Sequence, residues 1–145
     1  MTATPPRADF YLIQKPRFRE EPLLLVCELA RKANGAGLPT LVLARDDAQA
    51  EQLDDLLWSF DPDAFIPHQI AGADIEEDEA DVLIVAPGTD VPMRALVINL
   101  RDEAVEGAFD RVLEVVPADE SARGPLRARW KQYQARGLAV TKHDM

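Results

Sequence analysis

Val82-Leu83-Ile84-Val85 and Leu96-Val97-Ile98-Asn99-Leu100 are the stretches on which the fold turns. Both are nearly continuous apolar runs, without the alternation of a strand that keeps one face in water. Runs of this kind occur in strands covered on both faces, as in parallel sheets. Working outward, Thr40 to Leu43, Arg111 to Val116 and Phe10 to Ile13 read as further strands, and Leu138 to Thr141 as a last one. Phe65 to Ile70 reads as a short extended segment. Helical patterns lie between them. Glu20 to Ala36 carries Pro22 in its first turn and Gly35 and Gly37 near its end. Its middle, Leu23 to Leu29, is apolar nearly all round, which predicts deep burial. Asp46 or Asp47 can cap a helix running to about Trp58, and another spans about Pro125 to Arg136. Strand and helix in alternation imply a mostly parallel sheet with helices on both sides. Right-handed crossovers then predict a Rossmann-like three-layer α/β domain.

The domain is expected to occupy residues 9–141, after a flexible N-terminus of residues 1–8 and before a short tail of residues 142–145. Asp74 to Asp81 is an acidic run and reads as a solvated loop. At 145 residues the chain can bury a core without cross-links. Cys27 is its single cysteine, so no disulfide within the chain is available and a reducing compartment is expected. Neither a signal-peptide pattern nor an apolar run long enough to cross a membrane is present. The reading is a soluble cytoplasmic protein.

The formal net charge is −10. A phosphate backbone should repel such a chain unless its cations are gathered in one place. They are partly gathered. From Ser121 onward Arg123, Arg127, Arg129, Lys131, Arg136 and Lys142 face one acid, Asp144. The acidic excess therefore belongs to the preceding residues, and the end of the chain reads as an anion-binding patch.

Enzymatic constellations do not emerge. The first strand is followed by Gln14-Lys15-Pro16-Arg17, without the glycines that let a backbone approach a pyrophosphate. A nucleotide-binding enzyme on the same fold is the alternative reading, and it lacks this cradle. His68 and His143 are the only histidines, and His68 has no carboxylate at a helical offset. It reads as a structural hydrogen-bonder, and no metal or other cofactor is expected. Cys27 sits in an apolar helix, which should raise its pKa and quench it. Asp54 and Asp55 are helix neighbours pointing about 100° apart, which rules out a working acid–base pair.

Surfaces carry more. In the helix from Asp47, Leu53, Leu56, Leu57 and Phe60 form one apolar stripe, and Trp58 falls roughly 140° from its centre. A tryptophan off the core face is a favoured interface anchor. Phe65, Ile66 and Pro67 follow closely and could join it in one apolar patch. In the last helix Leu126, Trp130 and Tyr133 are spaced to face inward, with Arg127 flanking them and Arg123 just before the helix. Two guanidiniums beside a large aromatic suit an apolar group attached to a carboxylate, such as a peptide C-terminus.

Several blocks of the chain resemble the chi subunit of DNA polymerase III. They are Leu25-Val26-Cys27-Glu28-Leu29-Ala30, Leu53-Asp54-Asp55-Leu56-Leu57-Trp58 and Phe65-Ile66-Pro67-His68-Gln69-Ile70-Ala71-Gly72. Val115-Val116-Pro117, Arg127-Ala128-Arg129-Trp130-Lys131-Gln132-Tyr133 and Gly137 complete them. The blocks stand in family order and cover nearly the whole chain. The resemblance implies a Rossmann-like adaptor without catalysis of its own, linking the clamp-loader complex to single-stranded DNA-binding protein. It implies that Arg123, Arg127 and Trp130, with Val116 nearby, hold that protein's acidic C-terminal tail, which ends in proline and phenylalanine. It further implies that Trp58, Phe65, Ile66 and Pro67 meet a psi subunit or a helicase. The sequence departs from the family in three respects. Trp130 stands where tyrosine is frequent, Gly124-Pro125 interrupts a more continuous helical start, and the acidic stretch Asp74 to Asp81 is not a family feature.

Overall fold

A computed structural model of the chain describes residues 6–61, 63, 65–72 and 80–145. The acidic run Asp74 to Asp81 therefore lies outside the described residues except for Ala80 and Asp81. The elements in chain order are β1 (Arg7–Leu12), α1 (Pro16–Glu20), α2 (Pro22–Gly35), β2 (Thr40–Leu43), α3 (Asp47–Ser59), β3 (His68–Ile70), β4 (Val82–Val85), β5 (Leu96–Asn99), β6 (Arg111–Val116), a 3₁₀ turn at Glu120–Ala122, α4 (Arg123–Ala135) and β7 (Ala139–Asp144). The strands form one seven-stranded sheet in the order β3-β4-β2-β5-β6-β1-β7, with every pairing parallel.

Strand side chains alternate between two cores, as a period of two requires. Tyr11, Val42, Ile84, Ile98 and Leu113 pack with Phe18, Leu25, Leu53 and Leu57, so α1, α2 and α3 cover one face. Phe10, Leu41, Leu83, Val97 and Val112 pack with Tyr133 of α4 on the other. All four residues of β4 are buried, as a strand covered on both sides must be.

Four boundaries differ from the sequence reading, each for a local reason. The single helix expected over residues 20–36 is two. Glu21 precedes Pro22, whose ring excludes the α region for its predecessor, and Glu21 sits at φ −136°, ψ 82°. Pro16 opens α1 in the same manner that Pro22 opens α2. At α4 the pair Gly124-Pro125 does not delay the helix. It starts at Arg123, with Pro125 in the first turn, where a missing N–H costs little. Finally, the expected tail is not a tail. Lys142 to Asp144 extend β7 in parallel register with Phe10 to Leu12, and the Met145 N–H donates to Leu12 O at 2.8 Å. Likewise Arg7 and Ala8, expected in the flexible N-terminus, begin β1. Ladder hydrogen bonds override the weak strand propensity of Lys-His-Asp. Asp46 caps α3 as expected, accepting from Gln49 N–H at 2.7 Å.

Candidate functional site: a basic cleft and an aromatic patch

β1 and β6 are neighbours, yet the chain leaves them toward opposite faces, β1 into α1 and β6 into α4. Their carboxyl ends thus form a topological switch point, where open α/β sheets leave a crevice. A cleft of about 410 Å³ lies there. Its apolar lining includes Leu12 and Val116 at the ends of the two strands, Pro117, and Leu126 of α4. Three guanidiniums line it, those of Arg19 from α1 and of Arg123 and Arg127 from α4, against one carboxylate, Asp119. Among the described residues none of these three arginines forms a side-chain hydrogen bond or ion pair. Asp119 caps the 3₁₀ turn, accepting from Ser121 N–H at 3.0 Å, and that bond holds its carboxyl below the usual range.

Arg123, Arg127 and Val116 thus meet in one cleft, but Trp130 does not line it. The indole packs behind, on Phe10, with ring centroids 5.1 Å apart. The α4 residues that line the cleft are Arg123, Leu126 and Arg127, all in its first two turns, and Trp130 lies one turn farther along the helix than Leu126.

Arg129, one of the cations counted in the basic patch, is not on the surface. It is 4% exposed and paired with Glu114, which is fully buried. Arg129 Nε lies 2.9 Å from Glu114 Oε1, close enough for a charge pair but off the donor axis. Its Nη1 donates to Asp102 O at 2.9 Å. Tyr133 donates its hydroxyl proton to Glu114 Oε2 at 2.6 Å and accepts from Val105 N–H. Asn99 Nδ2 donates to the same carboxylate oxygen at 2.9 Å. Burial pushes the Glu114 carboxyl upward, against the pull of Arg129 and these donors. Burial also drives the Tyr133 hydroxyl up, with Glu114 adding to it. Of the remaining cations, Arg136 pairs with Glu106 at 3.0 Å and Lys142 lies 3.9 Å from Asp144. The patch therefore narrows to Arg123, Arg127 and Lys131 on α4, and gains Arg19, which sequence reasoning passed over. Parallel β1 and β6 place Arg19 near α4 although more than a hundred positions separate them, and no local pattern announces that.

The aromatic patch lies at the β3 edge of the sheet. Trp58 at the end of α3 is 61% exposed and Phe65 is 69% exposed, with centroids 6.1 Å apart. Pro67 is half-buried beside them. Ile66 departs from the expected surface patch. It is 2% exposed and belongs to the core beneath α2 and α3, because the segment leading into β3 alternates its side chains. His68 holds this corner together. Its ring packs against Trp58 at 4.9 Å, Nδ1 is 2.7 Å from Ile66 O, and Nε2 is 3.2 Å from Asp54 O and 3.3 Å from Asp54 Oδ1.

Elsewhere, burial pushes the Cys27 thiol up to about 12. Among the described residues no group of three or more His, Cys, Asp or Glu is placed to hold a metal, and no helix is long and apolar enough to cross a membrane. At the carboxyl ends of β2 and β4, Arg101 donates to Ala44 O at 2.8 Å and to Val85 O at 2.9 Å.

Comparison with known proteins places the chain in a family. Residues 6–141 match the family model described as DNA polymerase III chi subunit, HolC. The chain is 37% identical over 143 residues to DNA polymerase III subunit chi of Pseudomonas aeruginosa, covering 96% of each chain. It is 33% identical over 117 residues to that of Escherichia coli K12, covering 79% of each. Against that of Haemophilus influenzae it is 28% identical over 123 residues, covering 83% of this chain and 85% of the other. With a seven-stranded parallel sheet, a match over nearly its full length and relatives of matching length, the chain belongs to the DNA polymerase III chi subunit family.

Proposed function

We propose that this protein is a non-catalytic adaptor of the replicative polymerase, working in the cytoplasm during DNA replication. It joins the clamp-loader complex to single-stranded DNA-binding protein by holding that protein's acidic C-terminal tail in the cleft between β1 and β6. The observation that carries this reading is the set of unpaired guanidiniums around an apolar floor, on a chain whose net charge is −10. Arg123 and Arg127 pair with acidic residues and the terminal carboxylate, while Val116 and Leu126 receive the terminal phenyl ring. Trp130 contributes from behind the lining, by fixing α4 on Phe10. A cleft of about 410 Å³ suits a ligand of that size. The second partner, a psi subunit or a helicase, docks on Trp58, Phe65 and Pro67, exposed aromatics being favoured anchors.

Such contacts give salt-sensitive affinity on the order of micromolar. The test is a titration with a labelled peptide of acidic residues ending in proline and phenylalanine. Arg127→Glu is expected to abolish binding while leaving the circular dichroism spectrum and melting temperature unchanged. Undiminished affinity in that variant would remove the site.

A further inference from the structure

We propose that a second groove, on the α4 face above the carboxyl ends of β2 and β4, docks a basic segment of a partner protein through one apolar side chain set between lysines or arginines. The groove shares no lining residue with the cleft at β1 and β6 or with the aromatic patch, so it does not depend on the tail-binding reading.

The groove exists because this face of the sheet is covered unevenly. Among the described residues α4 is the one α-helix packed on it, and it sits on Phe10 of β1 through Trp130 and Tyr133. The chain leaving β4 reaches β5 through residues 86–95, which contain no helix, whereas the crossover between two parallel strands is usually helical. Leu41 and Leu43 of β2 and Val85 of β4 therefore form the floor of a groove of about 430 Å³ instead of packing under a second helix. Two loops wall it. Val91 and Met93 belong to the loop after β4, and Ala104 and Val105 to the loop after β5. Gly107, at φ 98°, lets the loops close on each other at one end, where an added Cβ would lie 3.2 Å from Met93 Cε.

The wall after β5 is held in place. Val105 N–H donates to the Tyr133 hydroxyl at 2.9 Å, Arg136 Nη1 donates to Val105 O at 2.7 Å, and Asn99 Nδ2 donates to Glu103 O at 2.9 Å. Asn99 and Tyr133 are themselves anchored on the buried Glu114 carboxylate. A loop tied down in this way keeps the hollow open before any ligand arrives, and a preformed apolar hollow with a few polar groups at its mouth is the usual form of a binding site. On the facing wall Met93 is 37% exposed, and its flexible thioether adapts to the side chain that enters.

Charge at the mouth decides what enters. Asp90, Glu103 and Glu106 line it against one cation, Arg101. Arg101 is turned toward the strand ends, its Nε donating to Ala44 O and its Nη2 to Val85 O. Glu106 is paired with Arg136. Asp90 and Glu103 are exposed, and among the described residues neither forms a salt bridge. The net charge of −10 adds a field of the same sign. An acidic peptide is repelled here and a basic one attracted. The cleft at β1 and β6 has the opposite signature, three guanidiniums against one carboxylate, so the two hollows sort partners by sign.

The probe is a labelled peptide with one leucine flanked on both sides by lysines and with both ends blocked. A second peptide carries serine in place of the leucine. In anisotropy titrations of the full chain at low salt, the leucine peptide is expected to bind about tenfold more tightly than the serine peptide, through burial of one aliphatic side chain. Glu103→Lys is expected to weaken the leucine peptide about fivefold. Met93→Ser should cut the preference for leucine to about threefold or less. Glu51→Lys changes the net charge equally, at an exposed position of α3 on the other face, and should weaken binding less than about twofold. Equal affinity for the two peptides, equal losses from Glu51→Lys and Glu103→Lys, or no measurable binding overturns the proposal. Sedimentation showing that the unaltered protein dimerises and Glu103→Lys does not would also overturn it, by giving the groove to a second copy of the chain.

Discussion

The cleft at β1 and β6 and the aromatic patch at α3 and β3 stand four to five interstrand steps apart in one sheet, about 20 Å. They are built on opposite principles. The cleft leaves charges without internal partners above an apolar floor, so its attraction is electrostatic and weakens with salt. The patch exposes two large rings, held by a histidine that is itself saturated with carbonyl and carboxylate contacts, so its attraction is burial of apolar area. Under the proposed function, separation and unlike chemistry would let the two partners bind at once without competing. The difference teaches where to look on an acidic protein: at places where the fold declines to pair a charge or cover a ring.

The strongest way to break this comparison concerns the cleft wall. Arg127 and Arg129 lie two positions apart on α4, about 200° around the helix, and do different work. Arg129→Ala strands the buried Glu114 carboxylate and is expected to lower unfolding free energy by about 3–5 kcal/mol. Arg127→Ala should stay within about 0.5 kcal/mol. Urea denaturation of both variants measures the gap. Equal losses would mean that the two arginines are not divided between fold and surface.

The next test sharpens the independence of the two regions. Trp58→Ala is expected to lose co-purification with a psi-like or helicase partner while tail-peptide affinity stays within about twofold. Arg127→Glu should give the reverse pattern. A variant that loses both interactions would show that the regions are coupled.

The smallest effect concerns Asp9, at the amino end of β1 and away from both regions. Burial alone would raise its pKa, but hydrogen bonds from Arg7, His143 and Arg111 hold it at about 2. Its folded value is thus depressed relative to the unfolded chain. The stability it contributes is present above about pH 4 and is lost as pH falls toward 2. Asp9→Asn should flatten acid unfolding in that window and cost about 2 kcal/mol near neutrality. Melting curves from pH 2 to 7 measure it, and tail binding at pH 7 should not change.

Much of this was legible in the sequence, and the exceptions share a cause. The apolar runs at Val82 and Leu96 announced a sheet covered on both faces, and the i, i+3, i+4 pattern of α3 put Trp58 outside the core. The burial of Arg129 was not legible, because its partner is on β6 and the helix pattern alone ranks arginine as solvated. Arg19 was missed because its neighbours in space come from the far end of the chain. The split at Glu21 could have been read from Pro22, which was credited only with opening a helix and not with ending the one before.

The strand order carries a last consequence, in time rather than in space. β1 has no partner among the first hundred residues, since both of its neighbours, β6 and β7, begin after residue 110. Synthesis at roughly 5–20 residues per second leaves that first strand waiting several seconds for a mate. The β2–β4–β5 layer can assemble meanwhile, its pairings spanning far shorter stretches of chain. The wall between β1 and β6 is therefore among the last surfaces to come into being, and a nascent fragment that already carries Trp58 does not yet have the cleft.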